Sequence, residues 1–216
     1  VATQPDLADT SRIEAFSDGV FAIAITLLVI ELHPPELDPG EGLWPALLHE
    51  WPQFAAYLTS FAVIGIMWVN HHSMFRQIQR ADRELMFLNL LLLLWTALLP
   101  FPTNLFAEHL LDDSANANVA AAVYSTNLTL AAIAFSLIWW HVLRKHLVDH
   151  NLSPAQQRRS VLRFSVGTLF YALTIGLSFV SAPLTLLVQF LLALYYGFEQ
   201  VRADRTPSTT PFTESD

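Results

Sequence analysis

Arg12-Ile13-Glu14-Ala15-Phe16-Ser17-Asp18-Gly19-Val20-Phe21-Ala22-Ile23-Ala24-Ile25-Thr26-Leu27-Leu28-Val29-Ile30-Glu31 decides how this chain is read. As a helix, residues 16–32 reach about 25 Å at ~1.5 Å per residue, most of a hydrocarbon core about 30 Å thick. The stretch is apolar on every side, so no face is reserved for water. Yet it carries Ser17, Asp18 and Thr26. An ionised Asp at the centre of a span costs about 2.5–3.5 kcal/mol on insertion scales; one turn from the helix start the cost falls but does not vanish. Asp18 sits at that depth and needs a partner. The helix is therefore expected inside an assembly rather than against lipid.

The rest of the chain agrees with a membrane setting. Of 216 residues, 53% are hydrophobic and only 14% charged, against about a quarter charged in soluble domains. There is no Cys, which excludes a disulfide framework, a thiolate metal site and a Cys nucleophile. The net charge of −8 argues against a nucleic-acid partner, which calls for a basic stripe. The first apolar run lacks the basic flank and small-residue cleavage site of a signal peptide, so it is expected to remain as a span.

Six spans are predicted. After a polar tail at residues 1–11, the first covers about 16–32 and stops at His33-Pro34-Pro35, because Pro cannot continue the hydrogen-bond ladder and disfavours helix in the residue before it. The others cover about 53–72, 85–106, 118–142, 161–180 and 184–199, with the third broken late by Pro100 and Pro102. A polar tail is read at 201–216, so the six-helix transmembrane body is expected at 12–200. Trp44, Trp51, Trp139 and Trp140 read as interfacial aromatics.

Charge sets the orientation. All 11 Lys and Arg fall at Arg12, in the 76–83 and 144–163 loops, or in the C-terminal tail, whereas the intervening loops carry no Lys or Arg. The positive-inside rule then places both termini in the cytoplasm. An even number of spans is required for that, which supports six. The expected location is a cell inner membrane, crossed several times.

The first helix also resembles a known family. Arg12, then Phe16-Ser17-Asp18-Gly19-Val20-Phe21-Ala22-Ile23-Ala24-Ile25-Thr26-Leu27-Leu28, is similar to the signature of the endolysosomal potassium channels (transmembrane protein 175 in animals) and their bacterial relatives. His71-His72 with Phe75, at the end of the second span, also looks like the family. The resemblance implies an all-α membrane protein with six transmembrane helices per subunit. It implies a homotetramer, with the first helix lining a central pore that passes potassium ions through the lipid bilayer. It also implies no Thr-Val-Gly-Tyr-Gly filter, and the sequence contains none.

Ile23, Leu27 and Ile30 would form the apolar constriction. Their spacing of four and three shares one helix face; read alone, such a stripe is ordinary packing or lipid contact. Thr26 lies beside it as a polar lining residue. Phe16, Ser17 and Asp18 are implied to anchor the inner end of the pore helix through hydrogen bonds. Arg12, Trp68, Asn70, His71 and His72 are candidate members of that network, with Asn89 as a further option for Asp18. Gly19 would let another helix approach.

No catalytic residue, metal or cofactor is expected. Adjacent His71 and His72 diverge by ~100° on a helix and cannot chelate one ion together. The rival reading is a secondary cation transporter, which favours inverted repeats and mid-membrane helix breaks; neither is evident. An intramembrane enzyme would need several ionisable groups converging at mid-depth.

Overall fold

The structure is a computed structural model that describes residues 10–37, 39–40, 42–112, 114–148 and 154–203; the side chains of 114, 154–160, 163–164 and 198–203 fall outside that set. So do the acids Asp38, Glu41 and Asp113, most of the two tails, and the side chains of Arg158, Arg159, Arg163, Arg202 and Arg205.

The described elements are helical: α1 (Thr10–Leu27) with a 3-10 turn Leu28–Glu31, α2 (Leu43–His49), α3 (Trp51–Phe75), α4 (Arg83–Leu98), α5 (Pro100–His109), α6 (Ser114–Arg144), α7 (Pro154–Ser178) and α8 (Ala182–Ala203). Four stretches are long and apolar enough to cross a membrane: Thr10–Glu31, Trp51–Phe75, Arg83–His109 and Ala115–Arg144. The last two helices contribute shorter apolar windows, Ser165–Ser178 and Ala182–Gly197. The loop expected between the first two spans holds a helix, α2, that sequence reading did not separate from its surroundings.

The break in the third span has a local cause. Pro100 has no N–H to give Thr96, so the Leu99 N–H takes that carbonyl instead, at 3.2 Å. The helix restarts at once as α5, with the Thr103 N–H on the Leu99 carbonyl at 3.1 Å. Pro is compatible with a first helical turn, where its missing donor is not needed.

α6 is the packing centre, in contact with α4, α5, α7 and α8. Its buried face carries Ala117, Ala120, Ala121, Ala131 and Ala134 between Tyr124, Ile138 and Trp139. Small residues let helices approach closely where lipid supplies no hydrophobic drive between them. Trp139 is thus a core residue at 2% exposure, not the interfacial one expected, while Trp140 beside it is 55% exposed; neighbours on a helix differ by ~100° in direction.

Buried hydroxyls and amides tie the bundle. Ser60 of α3 meets Thr103 of α5 at 2.7 Å and Tyr124 of α6 at 2.8 Å. Gln189 of α8 donates to Ser125 of α6 at 2.8 Å, and Ser136 of α6 meets Thr168 of α7 at 2.9 Å.

At the end of the bundle that carries the basic residues, α6 stops in a Schellman arrangement. His146 adopts φ 53°, with the Leu147 N–H on the Val142 carbonyl at 3.0 Å and the His146 N–H on Leu143 at 3.3 Å; Gly usually occupies such a left-handed position. This aims the chain at the α3–α4 loop, where Ile78 and Val148 form an antiparallel bridge.

Candidate functional site

α1 has two unlike faces. Ser17, Phe21, Ala24 and Leu28 recur at helical spacing and are buried, turned towards α3 and α4, the main helices α1 packs against. The opposite side holds Phe16, Gly19, Ile23, Thr26, Leu27 and Ile30, all exposed. Ile23 is 61% exposed, Leu27 39% and Ile30 67%. A contiguous apolar patch of this kind marks a surface that another molecule covers or that lines a passage.

Thr26 stands within that patch. Its hydroxyl turns back to the helix, within 2.9 Å of the carbonyls of both Ala22 and Ile23. That occupies the hydroxyl hydrogen and leaves oxygen lone pairs facing outward. Gly19 does not serve a contact inside this subunit, because a Cβ built there meets nothing within 4 Å. The close approach expected from sequence is absent among the described residues, since Gly19 lies on the exposed face.

The buried side of α1 is held by polar contacts in two layers. In the deeper one, the Ser17 hydroxyl donates to the Ile13 carbonyl at 2.8 Å and accepts from the Asn89 amide of α4 at 2.9 Å. The Asn89 carbonyl oxygen then faces His71 Nε2 of α3 at 2.9 Å. Because Ser17 has already given its proton to Ile13, the Asn89 amide must be the donor to it. The Asn89 carbonyl is therefore the acceptor, and His71 carries its proton on Nε2. The His71 ring stacks on Phe75 with centroids 4.2 Å apart and meets Phe21 at 5.4 Å. Ser17, Asn89 and His71 are all at or below 1% exposure.

The outer layer pairs α1 with α3 in antiparallel register. The Trp68 indole N–H donates to the Asp18 carboxylate at 2.8 Å, and His72 Nδ1 lies 2.6 Å from the Glu14 carboxylate. One turn back along α1 matches one turn forward along α3. Among the partners considered for Asp18, Trp68 is the one the structure provides. His72 pairs instead with Glu14, which sequence reading passed over, although Glu14 and Asp18 at i, i+4 face Trp68 and His72 at the same spacing. Arg12 is exposed and has no partner among the described residues. Asn70 lines a small apolar cavity with Met67, Phe135 and Tyr171.

A second polar cluster was not foreseen. Asp82 caps α4 by accepting from the Leu85 N–H at 2.8 Å, and both its oxygens lie 3.0 Å from His141 Nε2. Burial alone would raise the Asp82 carboxyl, but the Leu85 N–H, the His141 ring and the Lys145 ammonium outweigh it and hold the group below its usual range. An Asp directly before an apolar helical run is the available sequence signal, as an N-cap. Nothing in sequence marked His141 as its companion.

The geometry thus presents an apolar face with a threonine in it, on a helix bolted at one end to two others. Comparison with known proteins supplies the context. Residues 12–100 match the family described as Endosomal/lysosomal potassium channel TMEM175. A potassium channel of Streptomyces collinus is 52% identical over 204 residues, spanning 94% of this chain and 98% of that one. The chain belongs to the TMEM175 family. A crystal structure of a TMEM175 homologue from Chamaesiphon minutus, described as a lysosomal potassium-selective channel homologue, superposes with a TM-score of 0.80 at 41% identity, covering 88% of this chain and 97% of that one. The human member, described as an endosomal/lysosomal proton channel, is 34% identical over 173 residues, which is 74% of this chain and 33% of the human protein. Like these TMEM175 relatives, this chain is a multi-pass, all-helical membrane protein.

Proposed function

We propose that the protein is a potassium-permeable cation channel, formed by four copies around an axis with α1 of each lining the pore. The observation that carries this reading is the exposed face of Ile23, Thr26, Leu27 and Ile30 on a helix whose other face is fixed by buried polar contacts. Other helices of this chain also turn apolar residues outward to lipid; what favours a pore on the α1 face is the Thr26 hydroxyl within it and membership of a potassium-channel family. Four copies with that face inward make stacked rings of branched side chains, closed by rotational symmetry.

A ring of Ile or Leu offers an ion no ligand. When narrow it dewets and blocks flow; when wider it still strips part of the hydration shell. That cost is lower for potassium than for the more strongly hydrated sodium, so modest potassium preference arises without a carbonyl cage. The Thr26 oxygen offers a compensating dipole between the rings. Conduction is passive, and the chain is no enzyme, a reading supported by its membership of a channel family. The contacts of Ser17, Asp18 and Glu14 with α3 and α4 act as the anchor that sets where α1 stands.

Six spans, with both termini in the cytoplasm of a bacterial inner membrane, fit the confinement of Lys and Arg to alternate segments. The test is reconstitution of the purified protein into liposomes, with potassium and sodium flux followed under separate gradients. Flux of both ions, faster for potassium and independent of any second ion gradient, supports the channel. Flux that requires a coupled ion would identify a secondary transporter instead.

A further inference from the structure

Among the described residues, the end of the bundle that carries the basic residues holds arginines without a carboxylate partner. His141 bridges to Asp82 at 3.0 Å, and the Gln79 N–H reaches the Leu147 carbonyl at 3.0 Å. These contacts draw the α3–α4 loop and the end of α6 together, and with them Arg76, Arg80, Arg83, Arg144 and Lys145, all exposed. Lys145 approaches Glu84 at 4.0 Å. The four arginines have no carboxylate partner among the described residues, because Asp82 is committed to Leu85 and His141, and Glu84 faces His141 and Lys145.

Two of those arginines are held in a particular way. The Arg83 guanidinium lies 5.7 Å above the Phe87 ring, and that of Arg144 lies 5.0 Å above the Trp140 ring. Both rings are more than half exposed. Each arginine therefore stands where an aromatic side chain meets lipid and water. From each pair an exposed apolar row runs along its helix towards the other membrane face: Leu90, Leu94 and Leu98 beyond Phe87 on α4, and Leu137 and Ile133 beyond Trp140 on α6.

We propose that this α4–α6 surface binds an anionic phospholipid. The phosphate sits on the Arg83 and Arg144 guanidinium groups, whose planar forks suit phosphate oxygens, and the acyl chains lie along the two apolar rows. The occupant is anionic because unpaired guanidinium groups repel the ammonium that a zwitterionic headgroup carries. It is a lipid, not a soluble phosphate, because the cations are continuous with apolar rows that a soluble anion leaves uncovered.

The experiment is native mass spectrometry of the full chain in mild detergent, titrated with phosphatidylglycerol and, separately, with phosphatidylcholine. Phosphatidylglycerol adducts are expected to form at lower concentration. Each basic residue near an anionic surface is worth about fivefold in affinity, so R83Q/R144Q is expected to lose roughly 25-fold for phosphatidylglycerol and to leave phosphatidylcholine binding unchanged. F87A/W140A, with both charges intact, is expected to weaken phosphatidylglycerol as well. R76Q/R80Q is expected to have the smaller effect. Equal losses in R76Q/R80Q and R83Q/R144Q, displacement of the lipid by inorganic phosphate, or dissociation of the assembly in F87A/W140A would each overturn the proposal. The last result would show the surface to be a contact between copies of the chain. The outcome is independent of whether the protein conducts potassium.

Discussion

Replacing Asn89 by Leu removes the centre of the Ser17–Asn89–His71 chain, and its cost can be worked out bond by bond. Ser17 keeps its own donation to Ile13 and loses only an incoming bond, worth about 0.6 kcal/mol by the average for polar contacts in membrane helices. His71 fares worse. Its Nδ1 already has no partner, and the change leaves the Nε2 proton without an acceptor at 0% exposure. An unsatisfied buried donor costs about 1–3 kcal/mol, so Asn89→Leu should destabilise by about 2–3 kcal/mol in all. His71→Phe keeps the ring stacked between Phe21 and Phe75 and leaves only the Asn89 carbonyl unpaired, at about 1 kcal/mol. The double variant has no stranded His proton. It loses only the bond into Ser17, about 0.6 kcal/mol, and should therefore fall about 2–3 kcal/mol short of the sum of the singles. Reversible unfolding in mixed micelles, with all four members of the cycle, measures that coupling. Additivity to within about 0.5 kcal/mol would show that the two groups do not act as a bonded pair and would refute the anchor.

Ile23→Asn should raise conductance and lower potassium-over-sodium preference, with Leu27→Asn acting the same way more weakly; single-channel currents and mixed-cation reversal potentials unchanged by Ile23→Asn would move the constriction elsewhere. Asp18→Ala should reduce assembly more than selectivity, by stranding the Trp68 N–H, and Asp18→Asn should do less harm because its carbonyl still accepts; a normal assembly that has lost potassium preference would instead put Asp18 in the pore. For Asp82 the folded carboxyl titrates below its unfolded value, so the stability it adds is complete above about pH 4 and is lost as pH falls through the lower folded value. Asp82→Asn should therefore flatten the acid side of a thermal-stability profile, and identical wild-type and variant profiles from about pH 6 to pH 3 would contradict that. Cys placed at Glu36 should react with an impermeant reagent added outside intact cells, and Cys at Gln79 should not; the reverse pattern would invert the topology.

The sequence made the helical, multi-pass architecture readable because apolar run length is a coarse signal that survives any detail of packing. Helices stand at every predicted span. Finer features were hidden for identifiable reasons. α2 is a seven-residue helix, too short for its periodicity to stand out from a Pro- and Trp-containing loop. Trp139 and Trp140 look alike in a string, and only the direction from which α4 and α7 approach α6 decides which is buried. Asp18 announced its need for a partner, but six residues at similar depth were chemically able to answer. What singles out Trp68 is the antiparallel register of α1 on α3, and that register shows in sequence only when Glu14 and Asp18 are read as a pair against Trp68 and His72. Asp82 and His141 are 59 residues apart in the chain, and no periodic pattern links an N-cap to the far end of another span.

In the proposed tetramer, the division of α1 into two faces would explain how a constriction without ligands can still select. A ring of alkyl side chains discriminates only through its radius, because dehydration cost rises as the passage narrows. The radius depends on where each α1 stands, so a selective ring needs a helix that does not drift. Apolar packing alone is a poor fix inside a bilayer, where lipid tails compete on equal terms with Leu and Ile. Directional contacts overcome that, since a hydrogen bond weakens steeply with misalignment. The structure concentrates them at one end of α1, through Glu14, Ser17 and Asp18, and leaves the stretch from Ile23 to Ile30 without a side-chain hydrogen bond to another helix among the described residues. In the proposed tetramer, a helix bolted at its base and unbolted along its constriction can widen the rings by tilting about that base. The anchor would then fix the pivot, and the apolar face would read out the tilt as conductance.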